Sequence, residues 1–316
     1  MKIISAEQVH QHLNFEALIP LLKQSFSRAF SMPQRQVLAL APEQRDNHDA
    51  FALLPSWNED VIGNKMFTYF PNNAEQYELP GLFSKIMLFK RQTGEPLALV
   101  DGTSVTYWRT AAISALASQL LSRENSRHLM LFGTGNLASY LIKAHLSVRE
   151  LKKVTLWGRN SAKVNDLLGE FSSLYPNVTF NASVDVNAEV ANADIICCAT
   201  GAKIPLFDGN IVSAGTHIDC LGNHMKDARE CDTTTVTRAR VFVDSLTNTL
   251  NEAGELLIPI AEGAFSKEDI IGELADMCKR PALLRQSADE ITLFKSVGTA
   301  ISDLVAAYQV VQKVTE

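Results

Sequence analysis

Along residues 5–30, SAEQVHQHLNFEALIPLLKQSFSRAF, the apolar positions Val9, Leu13, Leu18, Leu21, Leu22 and Phe26 recur at roughly helical spacing and predict a helix with one apolar face. The period then shortens. RQVLAL, DAFALLPSW, VIGNKMFTYF, FSKIMLFKR and EPLALVDG read as strands, separated by turn formers such as PNNAEQ and QTGEP. Strands that follow one another without helices predict an antiparallel or mixed sheet.

From about residue 106 the rhythm changes. TYWRTAAISALASQLLS is rich in Ala and Leu and reads as a helix. Five strands follow, HLMLFG, KVTLWG, ADIICCAT, THIDCLG and RVFVDS, with helical patterns such as NLASYLIKAHLSVR and SAKVNDLLGEFSSLY between the first of them. That alternation predicts an α/β fold with a Rossmann-type, doubly wound parallel sheet over 119–295. The last stretch, ITLFKSVGTAISDLVAAYQVVQKV, predicts a long amphipathic helix with a glycine near its start. It is expected to pack back on the first region, so that 1–118 with 296–316 form a discontinuous α+β domain.

Composition narrows the function classes. A formal net charge of -6 over 316 residues argues against a sequence-independent grip on nucleic acid, without excluding a local basic pocket for a small anion. The N-terminus lacks the apolar core of a signal peptide, and no 18-residue apolar run suggests a membrane span, so a cytoplasmic location is expected. Cys197, Cys198, Cys220, Cys231 and Cys278 form no C-x-x-C pair, and three of them lie in strand-like runs. Reduced, buried thiols are expected, with no disulfide framework and no metal site.

The segment LMLFGTGNLA, 129–138, carries the first chemistry. It follows an apolar strand, opens a helix, and precedes a second strand that begins at Val154, which is the context of a dinucleotide-binding fingerprint. Gly133 allows the tight turn, Gly135 lets the backbone approach a pyrophosphate, and Ala138 is small enough for close helix–strand packing. Thr134, Asn136 and Leu137 complete the loop, and the helix N-terminus favours phosphate. The second strand ends in Gly158, Arg159, Asn160 and Ser161, with no acid until Asp166. An arginine among neutral hydrogen-bonding groups can hold a ribose 2′-phosphate, so NADPH is expected ahead of NADH. The alternative, a solvated loop charge at Arg159, stays open. Thr200, at the end of another strand, is expected to line the same cleft.

Several segments together resemble the ornithine cyclodeaminase and mu-crystallin family, which also includes archaeal alanine dehydrogenases and cyclic ketimine reductases. They are MPQR (32–35), LLPSW (53–57), GNKMFTYFPNN (63–73), TGEPLALVDGTSVTYWRTAA (93–112), FGTGNLA (132–138), ADIICCATGAKIPLF (193–207), LGNHMKDARECD (221–232), VDS (243–245) and ITLFKSVG (291–298). The resemblance implies a homodimer joined through N-terminal sheets, and a Rossmann domain that binds the nicotinamide cofactor. It places Lys65 beside a substrate carboxylate and reacting nitrogen, Arg109 and Arg35 on that carboxylate, and Thr110 on the cofactor. Lys295, Ser296, Val297 and Gly298 are implied to approach the nicotinamide. Read without the resemblance, Lys65 is a costly lysine in an apolar run or an outward-facing one, Arg109 a carboxylate clamp or a structural ion pair, and Arg35 a surface charge.

One position departs from the family pattern. Cyclodeaminating members and the archaeal alanine dehydrogenases have an aspartate two residues after the glycine matching Gly222, and this chain has His224, preceded by Asn223. An imidazole can shuttle a proton but cannot offer the same anionic stabilisation. Reduction of a cyclic α-imino acid, Δ1-pyrroline-2-carboxylate or its six-membered homologue, to L-proline or L-pipecolate is therefore the expectation. Lys65, with His224 as a second candidate, would handle the proton. Ornithine cyclodeamination, alanine dehydrogenation and non-catalytic binding of a hydrophobic ligand beside NADPH are the alternatives.

Overall fold

A computed structural model describes residues 1–41 and 49–315. The chain forms two compact units, Met1–Thr110 with Thr299–Glu316, and Ala111–Gly298. The divisions fall earlier than the boundary at 118 read from the sequence, and later than that at 295.

The first unit contains β1 (Lys2–Ile4), α1 (Ala6–His12), α2 (Phe15–Ser27), β2 (Gln36–Ala39), β3 (Ala50–Trp57), β4 (Val61–Tyr69), α3 (Asn73–Gln76), β5 (Leu82–Lys90), β6 (Pro96–Asp101) and the start of α4 (Gly102–Leu121). The helical pattern at the N-terminus is two helices. Leu13 is extended, and the Asn14 side chain accepts from Ala17 N at 2.9 Å to start α2. An Asn that satisfies a free N–H in this way stabilises a new helix start over a continuing helix.

The sheet order is β1-β6-β5-β4-β3-β2, antiparallel except for the parallel pair of β1 with β6. It is the mixed sheet that the run of strands predicts. One face, with Ala52, Leu54, Gly63, Lys65, Ile86 and Leu88, is buried, and the C-terminal helix packs across β3, β4 and β5. Gly63 makes that approach possible: a Cβ there would meet Leu304 Cδ1 at 2.4 Å. The opposite face stays open, with half-exposed Phe51, Met66 and Met87 and exposed Phe83, and carries a cavity of about 300 Å³.

The second unit runs β7 (His128–Phe132), α5 (Ala138–Val148), β8 (Lys153–Trp157), α6 (Ser161–Leu174), β9 (Thr179–Ala182), α7 (Val186–Asn192), β10 (Ile195–Cys198), β11 (His217–Cys220), α8 (Thr233–Arg238), β12 (Arg240–Val243), α9 (Leu246–Glu252), α10 (Gly254–Ala261), β13 (Ile270–Glu273), α11 (Leu274–Lys279) and β14 (Thr292–Lys295). Its eight strands, in the order β13-β12-β14-β11-β10-β7-β8-β9, pair in parallel throughout. This is the doubly wound sheet expected, with the order reversing where β7 meets β10.

The final stretch corrects the sequence reading. ITLFKSVG is not the start of a helix: Thr292–Lys295 is a fully buried strand between β11 and β12, and the helix beyond it, α12, is Ala300–Thr315. An apolar run buried on both faces of a parallel sheet shows no period of two, and beside a helical segment it reads as more helix.

Candidate active site

In the first unit, the start of α4 is set by its capping residue. The Asp101 carboxylate accepts from Ser104 N at 2.9 Å, and a Cβ on Gly102 would meet Ser84 Oγ at 2.4 Å and Lys85 N at 3.0 Å. Only glycine lets the helix leave β6 so close to β5. Arg109 and Thr106, one turn apart on this helix, are thereby fixed relative to the sheet.

Lys65 projects from the buried face of β4 and is only 5% exposed. Its ammonium donates to Asp303 Oδ1 at 2.9 Å and to Thr106 Oγ1 at 2.6 Å. Arg109 Nε donates to the same Asp303 oxygen at 3.0 Å. Arg35, half-buried ahead of β2, lies near enough to act on the charge of Lys65. Burial, opposed by Asp303 and assisted by Arg109 and Arg35, lowers the Lys65 ammonium from 10.5 to about 8. Three cations thus converge around one anion, an arrangement poised for a second anion and for proton exchange near neutral pH. Asp303 was not found in the sequence. The sequence carries little signal for it, since a single acid in the amphipathic AISDLVAAYQVVQKVT looks like a solvent-facing residue.

In the second unit, the glycine loop has the geometry its sequence predicts. Gly133 has φ +115, and a Cβ there would meet Ala199 O at 2.4 Å. Around Gly135 nothing lies within 4 Å of the position a Cβ would take. α5 begins with no side chain capping its N-terminus. A tight turn, an open approach over Gly135 and uncapped helix N–H groups fit a pyrophosphate. Thr134 packs on Gly158, where a Cβ would meet Thr134 Cγ2 at 2.7 Å. Beyond it Arg159 and Ser161 are exposed, and Asn160 uses its carboxamide oxygen to cap α6, accepting from Lys163 N at 3.1 Å.

Two carboxylates missed in the sequence hold the rest of this cleft. Glu230 accepts from Thr200 N at 2.6 Å, Thr200 Oγ1 at 2.9 Å and Gly222 N at 2.8 Å, pinning the ends of β10 and β11 together. Burial pushes its carboxyl up to about 8, against the pull of Lys295. Asp244 Oδ2 accepts from Ser296 Oγ, Val297 N and Gly298 N at 2.8, 3.0 and 2.7 Å and fixes the loop after β14. Gly298 itself has φ +84.

The pattern of the Ornithine cyclodeaminase/mu-crystallin family matches residues 1–316. The chain belongs to that family. It is 83% identical, over the full length of both chains, to the Delta(1)-pyrroline-2-carboxylate reductase of Colwellia psychrerythraea. Among solved structures, it is similar to Thermococcus litoralis Delta(1)-pyrroline-2-carboxylate reductase in complex with NADH and L-proline, with 28% identity, TM-score 0.92 and coverage of 100% of this chain and 98% of that one. The iminosuccinate reductase of Paracoccus denitrificans in complex with NAD+ also superposes, with 26% identity, TM-score 0.90 and coverage of 100% and 96%.

Lys295, which the resemblance brings near the nicotinamide, ends β14. Its side chain is wholly buried, pairs with Glu255 at 3.0 Å and donates to Asn223 O at 2.8 Å, so it supports the 223–228 loop from beneath. Asn223 is buried and bonded to Met225 and Ala228, whereas His224 beside it is exposed. Thr110 is the last residue of the first unit and lies half-buried on α4.

Among the described residues, no disulfide joins the cysteines; Cys278 is half-buried and the other four are buried. Cys197 does belong to a potential metal-donor group with His145 and Asp219, whose donor atoms lie within 4.8 Å of one another. The Ser114 hydroxyl contacts all three, at 3.0 Å from His145 Nε2, 3.8 Å from Cys197 Sγ and in a short bond to Asp219 Oδ2, which makes the cluster a hydrogen-bonded core feature. Among the described residues, no helix is long and apolar enough to cross a membrane.

Proposed function

We propose that this chain reduces a cyclic α-imino acid, Δ1-pyrroline-2-carboxylate to L-proline, with Δ1-piperideine-2-carboxylate to L-pipecolate as the six-membered counterpart, and that it prefers NADPH to NADH. The observation that carries the reading is the Lys65–Asp303–Arg109 cluster, in a chain whose 83% identical relative is named for this reaction.

Arg109 spends its Nε–H on Asp303, which leaves its terminal amino groups to take a carboxylate, with Arg35 as a second cation. Lys65, an ammonium below about pH 8, gives a proton to the ring nitrogen. Protonating C=N makes its carbon a better acceptor, and the reduced nicotinamide, when bound, supplies hydride. Proton to nitrogen and hydride to carbon together give the saturated ring. Fixing the carboxylate at Arg109 and Arg35 holds that carbon in one orientation, so the reaction avoids much of the entropic cost of the encounter.

The NADPH preference rests on the end of β8. Exposed Arg159 sits immediately before α6, whose N-terminus adds favourable dipole for a 2′-phosphate, and no acid stands there to repel it. Cyclodeamination is less favoured, because exposed His224 occupies the position where cyclodeaminating relatives have a carboxylate.

The open face of the first unit's sheet supports a homodimer. Phe51, Met66, Met87 and Phe83 form an apolar surface of the kind that monomers seldom leave in water.

The test is a panel: Δ1-pyrroline-2-carboxylate with NADPH and with NADH, beside L-ornithine with NAD+. Rapid oxidation of NADPH by the imine, with no ammonia from ornithine, is expected. Ammonia release from ornithine with an inert imine would overturn the proposal.

A further inference from the structure

The Lys65–Arg109 pair does not stand alone, and the group between its members has no assigned role. Asp303 lies in the first turn of α12 and is 1% exposed. Its Oδ1 receives both Lys65 Nζ and Arg109 Nε, while Oδ2 is buried with no hydrogen-bond partner among the described residues. That second oxygen is sealed from solvent, so the carboxylate acts through the two cations and not by touching a ligand.

The hydrogen bonds around Lys65 fix its geometry. The Thr106 hydroxyl gives its own proton to Gly102 O at 2.7 Å, so towards Lys65 its oxygen can only accept. An ammonium has three N–H donors. One goes to Thr106, one to Asp303, and the last has a set direction. Without Asp303 that geometry is lost, and Lys65 would face Arg109 and Arg35 with no anion between them.

We propose that Asp303 is a positioning residue of this reductase, holding Lys65 as an oriented ammonium proton donor and balancing its charge against Arg109. The inference rests on the reading of Lys65 and Arg109 as substrate-handling groups. The groups that face Lys65 are Asp303 from α12, Arg109 and Thr106 from α4, and Arg35 from the segment before β2. Asp303 is the anion among them, and it raises the pKa of Lys65 while both arginines lower it.

The test is the pH profile of kcat for reduction of Δ1-pyrroline-2-carboxylate in the wild type, Asp303→Asn, Asp303→Glu and Lys65→Met proteins. Activity that needs the ammonium is full below its pKa and is lost as pH rises through it. The wild-type limb is expected near pH 8. In Asp303→Asn it should move to lower pH by about one unit or more, a shift of at least ~tenfold in the proton affinity of Lys65. Asp303→Glu keeps the charge, so its limb should stay in place even if the rate falls, and it also serves if Asp303→Asn does not fold. A uniform loss of activity in Asp303→Asn with the limb unmoved, or a limb displaced downward in Asp303→Glu, would overturn the inference. Lys65→Met separates the two levels. If it keeps wild-type turnover, Lys65 is not the proton donor and the inference falls with it; if the wild type itself does not reduce the imine, the reductase reading fails; if Lys65→Met is inactive while the Asp303→Asn limb does not move, only the role of Asp303 fails.

Discussion

The proposed preference for NADPH turns on one exposed side chain, Arg159. It touches none of the fold's core, and its contribution to stability is expected to be small. A charge-assisted bond to a 2′-phosphate, by contrast, is worth about 1.5–3 kcal/mol. Arg159→Ala should therefore raise KM for NADPH by roughly ten- to hundred-fold and leave KM for NADH within about twofold, as steady-state kinetics with both cofactors will show. An equal effect on both would remove the 2′-phosphate from the account. At this scale, the sequence is legible where a residue type is anomalous for its surroundings. Lys65 in an apolar strand and Arg109 in an apolar helix stand out because a buried cation is costly unless it is paired. Their partner does not stand out. A single acid on an amphipathic helix looks solvent-facing, and only α12 packing on β4 turns Asp303 inward. The partner of Lys295 is hidden in the same way: its charge is visible in LFKSVG, but Glu255, forty positions earlier in the chain, cannot be paired with it by eye.

At the scale of elements, local rules carried furthest where the chemistry is local. The glycine loop is specified by strand, turn and helix in succession: Gly133 takes the positive-φ turn its position suggests, and the space over Gly135 is open. The five strands of the first unit from β2 to β6 were readable from apolar patches and the turns that separate them. Elements with competing signals were not. The N-terminal helix broke where Asn14 could cap a second one, a contest of a few tenths to about 2 kcal/mol that periodicity does not register. β9 and β13, four residues each, are too short to show a period, and β14 merged with the helix beyond it. Asp244 and Glu230 act beyond the reach of such local rules: each accepts from two backbone N–H groups, Val297 and Gly298 for Asp244, Thr200 and Gly222 for Glu230.

The whole molecule divides the work between two units, one bearing the cations that suit an imino acid and the other the loop that suits a dinucleotide. The open sheet face of the first unit predicts self-association. Sedimentation should give twice 34.8 kDa, and Phe83→Asp, on that face, should yield the single-chain mass. A wild-type chain that sediments as a monomer would contradict the assignment of that surface. The central claim is chemical: reduction at the carbon that bears the carboxylate. Its most direct measurement is turnover of Δ1-pyrroline-2-carboxylate with NADPH deuterated at C4 of the nicotinamide, using both stereoisomers of the label. The product is then examined by NMR. Deuterium at Cα of L-proline with one of the two isomers is the predicted result. Proline without deuterium from either, or no proline at all while ornithine loses ammonia, would contradict it.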